Sequence, residues 1–137
     1  NFNVGLEANG YGTGAAVADI DNDGILELLV SRGESKAQTL TLYKAKVDKG
    51  NKYLRIKPLN KYGAPARGAT VTLITNQRKH SKTIDAGSGY LCQMEPVAHY
   101  GIRKKEKNFK VEIRWTNGSK EMIDIKKLNQ TIIVRQK

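Results

Sequence analysis

The chain has 137 residues, 39% of them hydrophobic, with 13 Gly, a single Cys and a formal net charge of +11. That is enough for one well-cored domain, or a domain with a short appended motif, and it excludes a multi-domain enzyme. No apolar run approaches the roughly 20 residues that span a bilayer, and the lone Cys92 excludes an internal disulfide framework or a multi-Cys zinc site.

The start, Asn1-Phe2-Asn3-Val4, has neither an initiator Met nor a signal-peptide pattern, so a mature product or a fragment is expected. Residues 1–14, rich in Gly and Asn, read as an irregular lead-in. Strands are predicted at 15–20 and 25–31, closed by an Asp-rich turn into a hairpin, with a further strand at 39–45. The turn cluster Asp48-Lys49-Gly50-Asn51 marks a boundary between a first part, 1–47, and a second, 48–137. Short β-rich segments then recur at 53–57, 69–75, 82–86, 97–102, 109–115, 121–125 and 131–135. This spacing predicts a sandwich. Gly87-Ser88-Gly89-Tyr90 lacks the following Lys and helix of a phosphate loop and reads as a tight turn. Asn117-Gly118 predicts a hairpin, because both turn positions can take positive φ. Helical periodicity is absent apart from a short turn near 126–129. The expected fold is all-β, an N-terminal hairpin carrying a cation loop plus an antiparallel β-sandwich.

Charge divides the chain unevenly. Residues 1–31 hold five acids and no Lys or Arg, so all 24 basic groups and the other 8 acids fall beyond them. Asp19-Ile20-Asp21-Asn22-Asp23-Gly24-Ile25-Leu26-Glu27 gathers alternate carboxylates around a sharp reversal at Gly24. Asp19, Asp21, Asp23, the Ile25 carbonyl and Glu27 together make a hard oxygen set suited to Ca²⁺. A helix-loop-helix site would need Glu where Val30 stands, and strands flank this loop instead. Arg103, Lys104, Lys105 and Lys107 form a second cluster, an array of point charges for sulfated glycans or an anionic mineral. Nucleic acid is disfavoured because no aromatics interleave the cluster. Two sequons, at Asn117 and Asn129, offer glycosylation sites on a secreted chain. Cys92 is expected as a buried small hydrophobe or an intermolecular link. His80, placed in a basic loop, and His99, in a strand, have no nucleophile motif beside them, so no enzyme is expected.

Gly12-Thr13-Gly14 leading into the 19–29 segment resembles the FG-GAP/VCBS repeat, a calcium-loop hairpin of β-propeller blades. Gly63-Ala64-Pro65-Ala66-Arg67-Gly68-Ala69, the 87–101 run and Val111-Glu112-Ile113-Arg114-Trp115-Thr116-Asn117-Gly118 look like the UnbV/ASPIC domain. Repeat followed by domain is similar to the C-terminal region of the cartilage acidic protein family. The resemblance implies a secreted glycoprotein of extracellular matrix, calcium in the loop, and no catalytic residue to carry over. It also shows three departures. Glu27 replaces the usual Asp and lengthens one ligand arm, the chain supplies part of one propeller blade only, and the domain is strongly basic where the family is named for acidity.

The reading is therefore a secreted, non-enzymatic matrix protein that binds Ca²⁺ and polyanions. Silica suits its lysines better than carbonate does. An unpaired blade edge predicts self-association into an oligomer or filament. The acidic loop is expected at one end of a sheet and the positive charge at the opposite end. The alternative is a cleaved adhesion or receptor-binding module that recognises one protein partner.

Overall fold

A computed structural model describes residues 12–33, 37–46, 51–85, 87, 89–90 and 92–137. The predicted lead-in up to residue 11 and the boundary turn at 48–50 lie outside the described residues. Among those described there are ten strands and no helix.

The first three strands, β1 (Gly12–Ala18), β2 (Glu27–Arg32) and β3 (Thr41–Lys44), form an antiparallel meander in the order β1-β2-β3. Val17 lies opposite Leu28, and Leu28 opposite Tyr43, so their side chains share one face. The predicted hairpin is thus two-thirds of a three-stranded sheet.

The remaining strands are β4 (Lys52–Leu59), β5 (Thr70–Ile74), β6 (Lys79–Thr83), β7 (Ala98–Ile102), β8 (Lys110–Arg114), β9 (Lys120–Asp124) and β10 (Gln130–Arg135). They make two sheets, β10-β4-β7 and β6-β5-β8-β9. Alternation in each strand sends one face inward: Leu54, Ile56, Tyr100, Ile102 and Val134 from the first sheet meet Val71, Leu73, Val111 and Ile113 from the second. Each such aliphatic side chain taken fully from water contributes about 1.5–3 kcal/mol. The Tyr100 hydroxyl donates to the Val71 carbonyl at 2.8 Å and ties the two sheets together in the core.

Several details differ from the sequence reading or refine it. The sandwich is not wholly antiparallel, because β10 runs parallel to β4, Gln130 opposite Leu54 through Arg135 opposite Leu59. These are the first and last strands of the sandwich, and the long path between them across the other sheet permits a parallel pair where a tight turn could not. The strand expected at 82–86 is β6, so His80 stands in a strand and not in a loop. Its sequence, Lys79-His80-Ser81-Lys82-Thr83, has no apolar alternation, and pairing with β5 decides it. At the β8–β9 turn only Gly118 takes positive φ (86°), while Asn117 accepts the Ser119 amide and hydroxyl through Oδ1. Segment 126–129 makes no helical turn; Asn129 adopts φ 57° and exchanges hydrogen bonds with the Tyr53 backbone.

Pro58 sits in β4 without breaking the ladder to β7. That strand ends its pairing at Ile56 opposite Ala98, so no donor is missed on that side.

Candidate functional site

Ala18 pairs with Glu27, and residues 19–26 make the reversal between β1 and β2. Asn22 (φ 61°) and Gly24 (φ 85°) take the left-handed conformations that the turn needs. Four carboxylates brace it from inside. Asp19 Oδ2 accepts the Gly24 amide (3.1 Å), Asp21 Oδ1 the Asp23 amide (3.3 Å), Asp23 Oδ1 the Ile25 amide (2.8 Å) and Glu27 Oε2 the Ile20 amide (2.8 Å). Each carboxylate spends one oxygen on the backbone and keeps the other.

Among the described residues, ligand atoms of Asp19, Asp21 and Glu27 lie within 4.8 Å of one another. Asp19 Oδ1 and Glu27 Oε1 are buried without a hydrogen-bond partner. Oxygens coordinated at 2.3–2.6 Å to one Ca²⁺ fall within that spread, and buried carboxylate oxygens without a hydrogen bond, Glu27 Oε1 having only a lysine ammonium at 3.5 Å, are what a hard cation satisfies. The residues present fit the ion. The Asp23 carboxylate of the predicted set is not among these three; its amide bonds Asp21 Oδ1, and its carboxylate meets a lysine that the trio shares.

That lysine is Lys44 of β3. Its Nζ lies 2.5 Å from Asp21 Oδ2, 2.7 Å from Asp23 Oδ2 and 3.5 Å from Glu27 Oε1. Its hydrogen bonds to Asp21 and then Asp23 raise the ammonium pKa, and Lys44 with the Ile25 amide lowers that of Asp23.

The loop also docks on the outer face of the β10-β4-β7 sheet. Arg55 points away from the sandwich core, yet it is 3% exposed because the loop covers it. Its Nη1 lies 3.0 Å from Asp19 Oδ2 and 3.1 Å from Asn22 Oδ1, and its Nη2 grips Glu95 Oε1 and Oε2 at 2.5 and 2.6 Å. A Cβ on Gly24 would lie 2.0 Å from Tyr53 Cδ1, so that glycine is required for close approach as well as for its φ. Tyr53 stacks in turn on His99, with centroids 6.0 Å apart. None of Lys44, Tyr53, Arg55 and Glu95 was singled out from the sequence. An Arg alternating with Leu54 and Ile56 reads as solvent-facing, and nothing local reveals that another sheet's loop lies on that face.

Arg103, Lys104, Lys105 and Lys107 are all exposed on the turn after β7. Glu106, in their midst, is buried and points inward to Arg78, whose Nε lies 2.6 Å from Oε1. The Glu106 amide bonds the Arg103 carbonyl, and Lys107 exchanges bonds with Asn76, so the turn is held rigidly while its charges face water. The expected separation of charge is not found. Lys52 pairs with Ile102 where the basic turn begins, one residue from Tyr53 beneath the acidic loop, so both features flank the same end of β4. A cleft of about 190 Å³ beside the turn combines Lys52, Arg103 and Lys104 with an apolar floor of Ile102, Phe109 and Leu128.

Asn117 and Asn129 are both exposed. Cys92 is half-buried and unbridged; its Sγ would lie 2.6 Å from a Cβ on Gly14 of β1.

A second cavity, about 310 Å³, lies between β1 and the sandwich and is bounded by Val17, Leu26, Lys82, Ile84, Met94 and His99. Burial there lowers the His99 pKa, helped by Lys82 and Arg55 and opposed by Asp19 and Glu95. An unfolded chain then binds more protons than the folded one as pH falls below about 6.5, so His99 costs stability on acidification. The melting temperature of the wild type is expected to fall more between about pH 7 and about pH 5.5 than that of His99→Gln. Parallel curves for the two proteins would disprove it.

The family model for ASPIC and UnbV matches residues 60–137. The chain belongs to the ASPIC and UnbV family. Its similarity to curated proteins runs further toward the N-terminus than that match. Cartilage acidic protein 1 of Xenopus tropicalis is 50% identical over 113 residues, that of Homo sapiens 48% over 114, and that of Mus musculus 47% over 114. Each alignment takes in 82% of this chain but only 17–18% of the relative, so the chain spans less than a fifth of their length. The ASPIC and UnbV match takes in the basic turn and β5 to β10, whereas the carboxylate loop and Arg55 precede it.

Proposed function

We propose that this chain is a non-catalytic module of a secreted extracellular matrix protein, built from a Ca²⁺ loop (residues 1–47 in part) locked onto a basic ASPIC and UnbV sandwich (48–137). The observation that carries the reading is the convergence of Asp19, Asp21 and Glu27 with two buried oxygens that lack hydrogen-bond partners. The ion would be held by Asp19, Asp21 and Glu27, with Asp23 and the Ile25 carbonyl completing the set. Bound there, it would neutralise crowded carboxylates and stiffen the loop against Tyr53 and Arg55. The cartilage in the names of the similar proteins supports a matrix setting.

Arg103, Lys104, Lys105 and Lys107, on their anchored turn, supply the second activity, attraction of a sulfated glycan or of an anionic mineral such as silica. Self-association would use β3, an edge strand among the described residues, whose Leu42 and the adjoining Leu40 are 53% and 58% exposed. Glycan attachment would use Asn117 at its exposed hairpin tip and Asn129, also exposed. The apolar floor of the cleft beside the basic turn favours a second reading, an adhesion module that takes an acidic protein segment.

Two measurements test the proposal. Calorimetric titration of CaCl₂ into the chain should show one site that Asp19→Asn with Glu27→Gln abolishes. Retention on immobilised heparin should fall steeply with salt and shorten when the four basic residues of the turn become Ala. Heparin retention indifferent to those four substitutions would reject the basic turn as the polyanion site.

A further inference from the structure

We infer that Lys44 is a resident, displaceable counter-ion of the carboxylate loop and that it sets how tightly the loop takes a divalent cation. The inference rests on the cation reading above and concerns what that cation must displace.

Strand register makes the arrangement unavoidable. Glu27, the first residue of β2, lies directly opposite Lys44, the last residue of β3, so the lysine stem starts beside the loop's closing carboxylate. From there its ammonium reaches Asp21 Oδ2, Asp23 Oδ2 and Glu27 Oε1. These are the oxygens that the loop backbone leaves over, since Asp21 Oδ1, Asp23 Oδ1 and Glu27 Oε2 are already engaged by amides. A divalent ion held by Asp19, Asp21 and Glu27 needs two of the three carboxylates that Lys44 occupies, Asp21 and Glu27. Lys44 and the ion therefore compete for one position.

The loop's other cation behaves differently. Arg55 binds Asp19 through Oδ2, the oxygen that also accepts the Gly24 amide, and leaves Oδ1 without a partner. Its side chain is 4% exposed and clamped by Glu95. The Lys44 side chain is 43% exposed on a flexible four-carbon stem, so its ammonium can swing into water without moving the backbone. One positive group is a fixed part of the site and the other is exchangeable. A tethered cation present at high local concentration scales a free competitor's apparent affinity by the fraction of time it leaves the position open.

The test is a CaCl₂ titration by calorimetry of the full chain as wild type, Lys44→Met and Lys44→Arg, with Lys44→Gln as a second neutral variant should the Met form fold poorly. Removal of the charge is expected to tighten binding by about tenfold or more, while Lys44→Arg stays near the wild type. In chelator, Lys44→Met should melt below the wild type, and added Ca²⁺ should raise its melting temperature by the larger amount. Wild-type binding that Lys44→Met leaves equal or weaker overturns the role of Lys44 and leaves the loop a cation site. Absence of binding in the wild type and in both neutral variants overturns the cation reading and this inference with it.

Discussion

Replacing Arg55 by Met is expected to destabilise the chain by about 3–5 kcal/mol, the usual loss when one partner of a buried ion pair is removed. The pair qualifies because Arg55 and Asp19 side chains are 4% and 0% exposed. Without the guanidinium, the Asp19 carboxylate keeps only the Gly24 amide and must stay charged in a site closed to water, or take up a proton. The Glu95 contact adds less, since that side chain is 34% exposed and screened. A companion variant isolates the mechanism. Asp19→Asn in the Arg55→Met background should recover part of the loss, because the amide needs no cation. Urea unfolding with an unchanged slope gives the numbers. A loss below about 1 kcal/mol for Arg55→Met would place Arg55 at a solvated surface and dismantle the docked loop.

Gly24→Ala is the second large effect. A side chain at φ 85° costs about 1–2 kcal/mol in backbone strain. The new methyl carbon would also fall 2.0 Å from Tyr53 Cδ1, a separation that only displacement of the ring or the loop can relieve. Destabilisation beyond the strain is therefore expected, together with loss of the Ca²⁺ titration signal as the loop lifts from β4. Trimming the ring separates the two causes. In a Tyr53→Ala background the methyl finds space, so Gly24→Ala should then cost only the backbone strain. Coupling between the two substitutions of roughly 0.5–3 kcal/mol is the expected result. Strict additivity would mean that the loop does not touch the ring.

The strand segments and the carboxylate loop were legible along the chain because each is written in adjacent residues. Alternation marked nearly every strand, and β6 was misplaced because its polar sequence carries no period for alternation to reveal. Asp19, Asp21, Asp23, Gly24 and Glu27 stood out by spacing, and Gly24 does take the positive φ that its place in the loop requires. Glu106 shows the limit of counting charge: within a run of four basic residues it reads as one more exposed ion, whereas burial against Arg78 makes it the anchor of that turn.

By itself the sequence determined an all-β chain with one acidic reversal and one basic turn, since backbone periodicity and local charge depend on neighbours a few residues apart. Only the tertiary structure decided that β4 receives the acidic loop on its outer face and adjoins the basic turn at the same end. The same is true of the ammonium of Lys44 among the carboxylates and the guanidinium of Arg55 beneath them. Those contacts join residues 17 or more positions apart, and their free energy is the balance between pairing the charges and the cost of taking them from water, a quantity fixed by which surfaces meet and by nothing in the local chain.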